Sequence, residues 1–298
     1  MNHRITPLSA GLYLVATPIG TARDITLRAL DILASCDLIA AEDTRTARKL
    51  MEIHGIPLGD RRVVAFHDHS SDAAVTKLVD AIRGGAAVAC VSEAGTPLIA
   101  DPGFELARAV RAAGLPVTAA PGPSAVITAL SIGDLPTDRF AFCGFLPASP
   151  AARSAELVEL RDLPFTLVFY ESPKRVHDFL IAARDALGGE RQASVCRELT
   201  KKFEEVSTGT LSELADAFDG RSVKGEIVVL IGRAGAVAVV DADIETALRQ
   251  AMQTMRVKDA ATAVAGAMGL PRRQVYQTAL NLKDDHDDGH TDTGDRDS

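Results

Sequence analysis

The sequence predicts an α/β protein made of two α/β domains, the first on a mostly parallel sheet and the second on a mixed one, with a small C-terminal helical region. Three observations carry this. From Leu12 to Ala119 short uninterrupted apolar runs alternate with helical patterns, and strands that are apolar on both faces belong to parallel sheets covered by helices on both sides. Further on, two strand-like runs, residues 194–198 and 203–208, lie close together with little chain between them, which predicts an antiparallel hairpin and so a mixed sheet. From Asp243 onward the pattern is entirely helical. A chain of 298 residues also exceeds the roughly 100–150 residues of a typical domain.

In chain order, a strand at Leu12–Ala16 leads to a helix over Leu27–Leu33, a strand at Leu38–Ala41 and a helix over Thr46–Ile53. Val63–Phe66, Ala86–Val91 and Leu115–Ala119 read as further buried strands, separated by helices near Val75–Ile82 and Phe104–Ala112. A change comes after Pro121-Gly122-Pro123, where a helical stretch from Ser124 to Ile132 ends at Gly133-Asp134-Leu135-Pro136. The first domain is therefore expected over 1–122 and the second over 123–238. The second has apolar runs at Phe140–Cys143, Leu167–Tyr170, Ala193–Cys196 and Ile227–Ile231, with helices near Glu156, Val176 and Leu211. Residues 239–283 form the helical region, with helices over Ile244–Met255, Asp259–Met268 and Pro271–Leu282. Its last turn, Gly269-Leu270-Pro271-Arg272-Arg273, puts proline in a first helical turn beside two cations. That layout resembles a helix-turn-helix, able to offer Arg272 and Arg273 to a phosphate backbone, as well as a plain helical cap.

The net charge of -8 is unusual for a nucleic-acid binder until the acidic tail is set apart. Residues 284–298 hold seven Asp and one Arg, which is -6 of the -8 and leaves -2 for the rest. The tail lacks apolar residues to bury and is expected to be disordered, while local cations such as Arg45, Arg48 and Lys49 can still meet phosphates. Aromatic residues are only 4 % of the chain, which argues against a broad base-stacking platform. Cys36, Cys90, Cys143 and Cys196 lie far apart, without metal-ligand spacing or a disulfide framework. No signal segment and no run approaching the roughly 18 apolar residues of a membrane span is visible, so a soluble cytoplasmic protein is expected.

Dinucleotide, phosphate-loop and hydrolase-elbow signatures are absent, which weighs against dehydrogenase, nucleotide triphosphatase and α/β-hydrolase chemistry. His67-Asp68-His69 has two histidines without a further ligand cluster, a weak case for a metal; none is expected. Three Gly- and Pro-rich segments do follow strands, where ligands of α/β sheets bind. They are Thr17-Pro18-Ile19-Gly20, Ser92-Glu93-Ala94-Gly95-Thr96-Pro97 leading to Asp101-Pro102-Gly103, and Pro121-Gly122-Pro123-Ser124-Ala125. Glycine admits close backbone approach and proline holds a bend, so together these loops suit an adenosine pocket lined by main-chain groups.

Those loops, with Asp24-Ile25-Thr26, Ala41-Glu42-Asp43-Thr44-Arg45, Phe66-His67-Asp68-His69 and Leu135-Pro136-Thr137-Asp138-Arg139-Phe140, resemble the ribosomal RNA small subunit methyltransferase I group of the tetrapyrrole methylase superfamily. Further matches are Gly144-Phe145-Leu146-Pro147, Phe169-Tyr170-Glu171-Ser172, Arg197-Glu198-Leu199-Thr200-Lys201 and Lys224-Gly225-Glu226. They run in order over nearly the whole chain up to the acidic tail. The sequence departs from the group's pattern at Glu93, where an Asp is usual, and at Thr21-Ala22-Arg23, where Asn-Leu is usual.

The resemblance implies a two-domain tetrapyrrole methylase fold, S-adenosylmethionine between the domains, a homodimer, and 2′-O-methylation of a decoding-centre cytidine in 16S rRNA of the small ribosomal subunit. It points to Pro18, Gly20, Ser92, Glu93, Ala94, Gly95, Thr96, Pro121, Gly122, Pro123, Ser124, Tyr170, Lys224 and Gly225 around the cofactor. Arg45, Arg175, Lys201, Lys202, Arg272 and Arg273 are the candidates for RNA. A sugar hydroxyl needs a proton acceptor as it attacks, and Glu42, Asp43 and His67 follow separate strands of the first domain from which they can converge. Asp43 also reads as a helix cap. A methyltransferase acting on a small tetrapyrrole or a protein side chain is the nearest alternative, and a non-catalytic RNA-binding protein the next.

Overall fold

Five strands and four helices alternate before any antiparallel pairing occurs: β1 (Gly11–Val15), α1 (Leu27–Ser35), β2 (Leu38–Ala41), α2 (Thr44–Ile53), β3 (Arg62–Ala65), α3 (Asp72–Arg83), β4 (Ala87–Val91), α4 (Phe104–Ala112) and β5 (Val117–Ala120). The computed structural model describes residues 2–67, 70–234, 241–268 and 272–287. They fall into two units, one ending at Ala234 and the other holding the described residues from 241 onward.

The first sheet is parallel throughout, in the order β3-β2-β4-β1-β5. Side chains alternate across it. Val15, Ile39, Ala89 and Val91 pack on α1 and α2 through Leu30, Leu33 and Met51, whereas Leu12, Ala40, Val88 and Cys90 pack on α3 and α4 through Leu78, Ile82, Leu106 and Val110. α1 starts where Thr26 Oγ1 accepts the Ala29 N–H at 3.1 Å, a cap contributing about 1 kcal/mol. The helix after β1 therefore covers one face and the helix after the adjacent β4 covers the other. Adjacent strands whose exits diverge leave a crevice at their carboxyl ends, and that is where α/β sheets bind ligands.

Two of the strands expected to be buried are edges. β3 and β5 close the two sides of the sheet, and Arg62, Ala65 and Ala119 are exposed. An apolar run does not reveal whether a strand has one neighbour or two.

α5 (Ala125–Ile132) leads into β6 (Phe140–Phe145), α6 (Pro150–Glu159), β7 (Thr166–Glu171), α7 (Val176–Leu187), β8 (Gln192–Arg197), β9 (Glu205–Thr210), α8 (Leu211–Phe218) and β10 (Ile227–Ile231). The second sheet has the order β6-β7-β10-β8-β9. β6 and β7 are parallel and every other pair is antiparallel. The expected hairpin is β8–β9, pairing Gln192 with Thr210 and Arg197 with Glu205. One face of this sheet (Leu167, Phe169, Val195, Val229) is covered by α6, α7 and α8. Its other face (Val168, Cys196, Val228, Leu230) meets α5 together with Ile19 and Leu199. Loops cover that face only in part, so space for a ligand survives beside it.

The second unit holds α9 (Asp241–Met252), α10 (Val257–Met268) and α11 (Arg272–Asp287). Ile244, Leu248, Ala261, Val264, Val275, Ala279 and Leu282 form its core. α11 takes in the first residues of the acidic segment, and 288–298 lie outside the described residues. Among the described residues no helix is long and apolar enough to cross a membrane.

Candidate active site

The loops after β1 and β4 are tied together by main-chain atoms. Thr17 N–H donates to Gly95 O at 2.8 Å and Gly95 N–H to Thr17 O at 3.0 Å. Beside this bridge opens a cleft of about 430 Å³ between the two sheets. The first half of the chain lines it with Ile19, Glu42, Asp101 and the run Glu93–Thr96, and the start of α5 adds Ser124 and Ala125. The second sheet supplies Phe145, Tyr170, Glu171, Leu199 and the run Gly225–Val228. Such a volume lies within the range of small-molecule sites, and the mix of apolar walls with a few convergent polar groups is typical of them.

Glu42 Oε2 accepts the Glu93 N–H at 3.0 Å, so the carboxylate that ends β2 is held against the β4 loop. Thr96 Oγ1 donates to Pro123 O at 2.9 Å, linking that loop to the turn before α5. Ser92 is buried and its hydroxyl donates to Ala94 O at 3.2 Å, inside the loop. Pro121, Gly122 and Pro123 do not line the cleft; the Pro123 carbonyl supports its wall through that Thr96 contact.

Tyr170 stands on the floor with its ring edge-on to Phe142 and Phe145, at centroid distances of 4.9 and 5.5 Å. Burial, with Asp101 adding to it, pushes its phenol up to about 12, so it stays protonated at neutral pH. Glu171 is buried. Its Oε1 accepts the Ser172 N–H at 2.7 Å and its Oε2 lies 3.3 Å from Arg175 Nη2. Burial raises its pKa against those two partners.

A charged clasp closes the second-sheet side. Lys201 Nζ lies 2.9 Å from both Glu198 Oε1 and Glu226 Oε2, and Glu198 Oε1 also accepts the Glu226 N–H at 3.1 Å. Burial lowers the Lys201 pKa, but the two carboxylates outweigh it and the net shift is upward. The hydrogen bond from Lys201 lowers that of Glu198. Gly225, between them, has φ +94°, and a Cβ there would come within 2.4 Å of the Glu198 carboxyl group. Only glycine fits both demands. Lys224 lies just outside the cleft, its carbonyl accepting from Arg197 Nη1 at 3.2 Å.

The remaining candidates lie apart. Pro18, Gly20, Asp43 and Arg45 line a separate hollow of about 570 Å³ with Lys49, and Glu93 borders both spaces. Gly20 packs on the clasp, where a Cβ would lie 2.5 Å from Lys201 Cγ and 3.0 Å from Leu199 O. Asp43 caps α2, accepting the Arg45 N–H at 2.7 Å and the Arg45 guanidinium at 2.8 Å. The Arg45 side chain holds its pKa down at about 2, which makes it a weak proton acceptor. His67 is exposed after β3 and lines neither space.

Arg175 turns its guanidinium to Leu146 O and Pro147 O, at 2.9 and 3.2 Å. Lys202 stands over the Phe203 ring. Arg272 and Arg273 are exposed at the start of α11, in the second unit. Asp68 and His69 lie outside the described residues, and no group of three metal-ligating side chains occurs among those described. Sequence reasoning did not single out Phe145, Glu171, Leu199, Ile227 or Val228 as lining residues.

A parallel sheet with diverging exits, joined to a mixed sheet across such a cleft, matches the tetrapyrrole (corrin/porphyrin) methylases, whose family model covers residues 11–215, and the chain belongs to that family. It is a methyltransferase. A second family model, described as the RsmI C-terminal HTH domain, matches residues 238–283. The chain is 46 % identical over 284 residues to the ribosomal RNA small subunit methyltransferase I of Mesorhizobium japonicum, covering 95 % of this chain and 96 % of that one. To the protein of the same name from Mycobacterium tuberculosis it is 46 % identical over 276 residues, covering 92 % and 96 %. These relatives place it in the ribosomal RNA small subunit methyltransferase I group. Among solved structures, uroporphyrin-III C-methyltransferase from Thermus thermophilus in complex with S-adenosylhomocysteine shares the fold, with a TM-score of 0.52, 18 % identity, and 75 % of this chain and 98 % of that one covered.

Proposed function

We propose that the protein transfers the methyl group of S-adenosylmethionine to the ribose 2′-hydroxyl of a decoding-centre cytidine in small-subunit ribosomal RNA. The observation that carries this reading is the match to the small-subunit rRNA enzymes over both sheets and on through the helical unit. The 2′-oxygen, the cytidine and the decoding centre rest on the motif resemblance.

The cleft residues fit the cofactor. Ile19, Leu199, Ile227 and Val228 give an apolar floor suited to adenine, while Glu93, Asp101 and Glu226 bring carboxylates suited to ribose hydroxyls and to positive charge. The bound cofactor supplies an electrophilic methyl on a sulfonium. The protein's task is then to hold the ribose oxygen in line at attack distance and to accept its proton. Glu42 is the best-placed acceptor, because it lines the cleft and the Glu93 N–H fixes one of its oxygens. His67 is the second candidate. Asp43 serves as cap and partner of Arg45. The neighbouring hollow, with the exposed cations Arg45 and Lys49, suits the phosphates flanking the target nucleotide, since backbone phosphates supply most of the affinity for RNA. Lys201 acts from within its clasp, and Lys202, Arg175, Arg272 and Arg273 remain candidates for more distant contacts. A homodimer is part of the same proposal.

The test incubates the protein and labelled S-adenosylmethionine with small ribosomal subunits lacking the modification, then identifies the product nucleoside by mass spectrometry. A 2′-O-methylcytidine at the decoding centre is expected; no transfer to subunits or naked RNA would overturn the reading. Glu42→Gln and His67→Ala are expected to lower turnover with S-adenosylhomocysteine affinity nearly unchanged, and calorimetry showing that affinity lost in both would remove these roles.

A further inference from the structure

β6 carries an irregularity that alters what the cleft can hold. Its pairing with β7 runs Phe142 to Val168 and then Gly144 to Phe169 and Phe145 to Tyr170, so one extra residue is inserted between Phe142 and Gly144. In a regular strand Phe142 and Phe145 would point to opposite faces. The inserted residue cancels that alternation, as bulges do when they redirect a side chain beside a site, and Gly144 takes φ +64° to allow it. Both rings consequently meet Tyr170. Phe142 is partly buried against the α5 side of the sheet, whereas Phe145 lines the cleft with 56 % of its surface exposed.

What distinguishes Phe145 from other exposed apolar side chains is its place, at the mouth of a polar-edged cleft with an open ring turned to it. Its contact with Tyr170 is near-perpendicular, at 62°, and uses at most one ring face. The buried floor of Ile19, Leu199, Ile227 and Val228, each no more than 6 % exposed, already suits one flat heterocycle. Phe145 is thus a second flat surface at the rim, where an incoming macromolecule arrives first.

We propose that Phe145 stacks on the base of the nucleotide being methylated, holding it out of its RNA stack while the ribose is presented. This rests on the RNA reading above and names a residue that positions the substrate. Aromatic stacking on a single-stranded base is sequence-tolerant and, by alanine substitution, is worth about ten- to hundredfold in binding. Enzymes that do chemistry on a base take it out of the stack and hold it against such rings, and here the same grip on the base would present the ribose attached to it.

The experiment compares wild type, Phe145→Ala, Phe145→Leu and Phe145→Trp with unmodified small subunits as substrate. It measures kcat and KM for the subunit, and the Kd of S-adenosylhomocysteine by calorimetry. Because the side chain is half exposed, all four proteins are expected to melt alike. The expected result is a KM about ten- to hundredfold higher for Phe145→Ala and Phe145→Leu, near wild-type KM for Phe145→Trp, and Kd within about twofold throughout. Leucine keeps apolar bulk without a π-face, so a wild-type KM for Phe145→Leu would overturn stacking. A weakened Kd with unchanged KM would assign the ring to the adenine and also overturn it. Unchanged constants in an active enzyme refute this inference alone. A wild-type protein inert on every RNA refutes the RNA reading and this inference with it.

Discussion

The two sheets build their halves of the cleft by different means. The parallel sheet is sandwiched between helices, so it reaches the cleft from its carboxyl ends, with loops held by the Thr17–Gly95 main-chain pair and by the Glu93 N–H on the Glu42 carboxylate. The mixed sheet has three helices on one face and only α5 with loop residues on the other, so it contributes strand residues from that less covered face, Tyr170 and Val228 among them. Strand residues Tyr170, Ile227 and Val228 make the floor together with Ile19 and Leu199 from loops, while the β4 loop shapes the wall, a division that sets an apolar slot beside polar contacts.

Removing a core ring or leucine from each half tests whether the halves stand or fall together. Phe179→Ala, beside Phe169 at 5.2 Å, is expected to cost about 3–5 kcal/mol and Leu106→Ala, under the first sheet, about 2–5 kcal/mol. One shared denaturation transition is expected for residues 1–234, because Ile19 of the first half packs into the second-sheet cluster; two separate transitions would show independent halves.

The next effect in size sits where the halves meet. Gly225→Ala forces an unfavourable φ and drives a methyl into Glu198, costing about 1–3 kcal/mol and weakening S-adenosylhomocysteine at least tenfold by calorimetry. Gly20→Ala pushes on the opposite side of the clasp and is expected to weaken it less. Equal, negligible effects would mean that the clasp does not shape the site.

The smallest effect is the pH dependence of that clasp. Glu198 has a lowered pKa, so its contribution is complete above its ordinary value of 4.5 and is lost as pH falls through the lower folded value. Lys201 has a raised pKa, so its contribution is complete below 10.5 and is lost as pH rises through the higher folded value. The clasp's contribution to folding stability should therefore be flat between those limits in denaturation curves taken across pH, and Lys201→Met should abolish its alkaline decline.

Local pattern made most of the architecture legible. Apolar runs placed all five parallel strands and the short gap after Glu198 gave the β8–β9 hairpin, whereas the turn expected at Gly269-Leu270-Pro271 lies outside the described residues. What sequence reasoning missed is long-range. Whether β3 and β5 are edges depends on strand order, which no local window contains. Pro18 and Gly20 sit in the right loop but face the second hollow, because the Thr17–Gly95 bridge fixes how that loop leaves β1. Phe145 escaped because strict alternation does not foresee an inserted residue, and Val228 because one strand's apolar positions look alike whether they face helices or a ligand. Glu42 fared better: its place at the end of a central strand was enough to put it in the cleft.

The Thr17–Gly95 bridge has a consequence for how this site tolerates change over generations. Its two hydrogen bonds join N–H and C=O groups that every residue except proline carries, so the outline of the wall is inherited with the backbone while neighbouring side chains are free to drift. Glu93, whose N–H rather than its side chain holds Glu42, is a position where such a wall absorbs turnover, leaving substrate preference open to adjustment without redrawing the pocket.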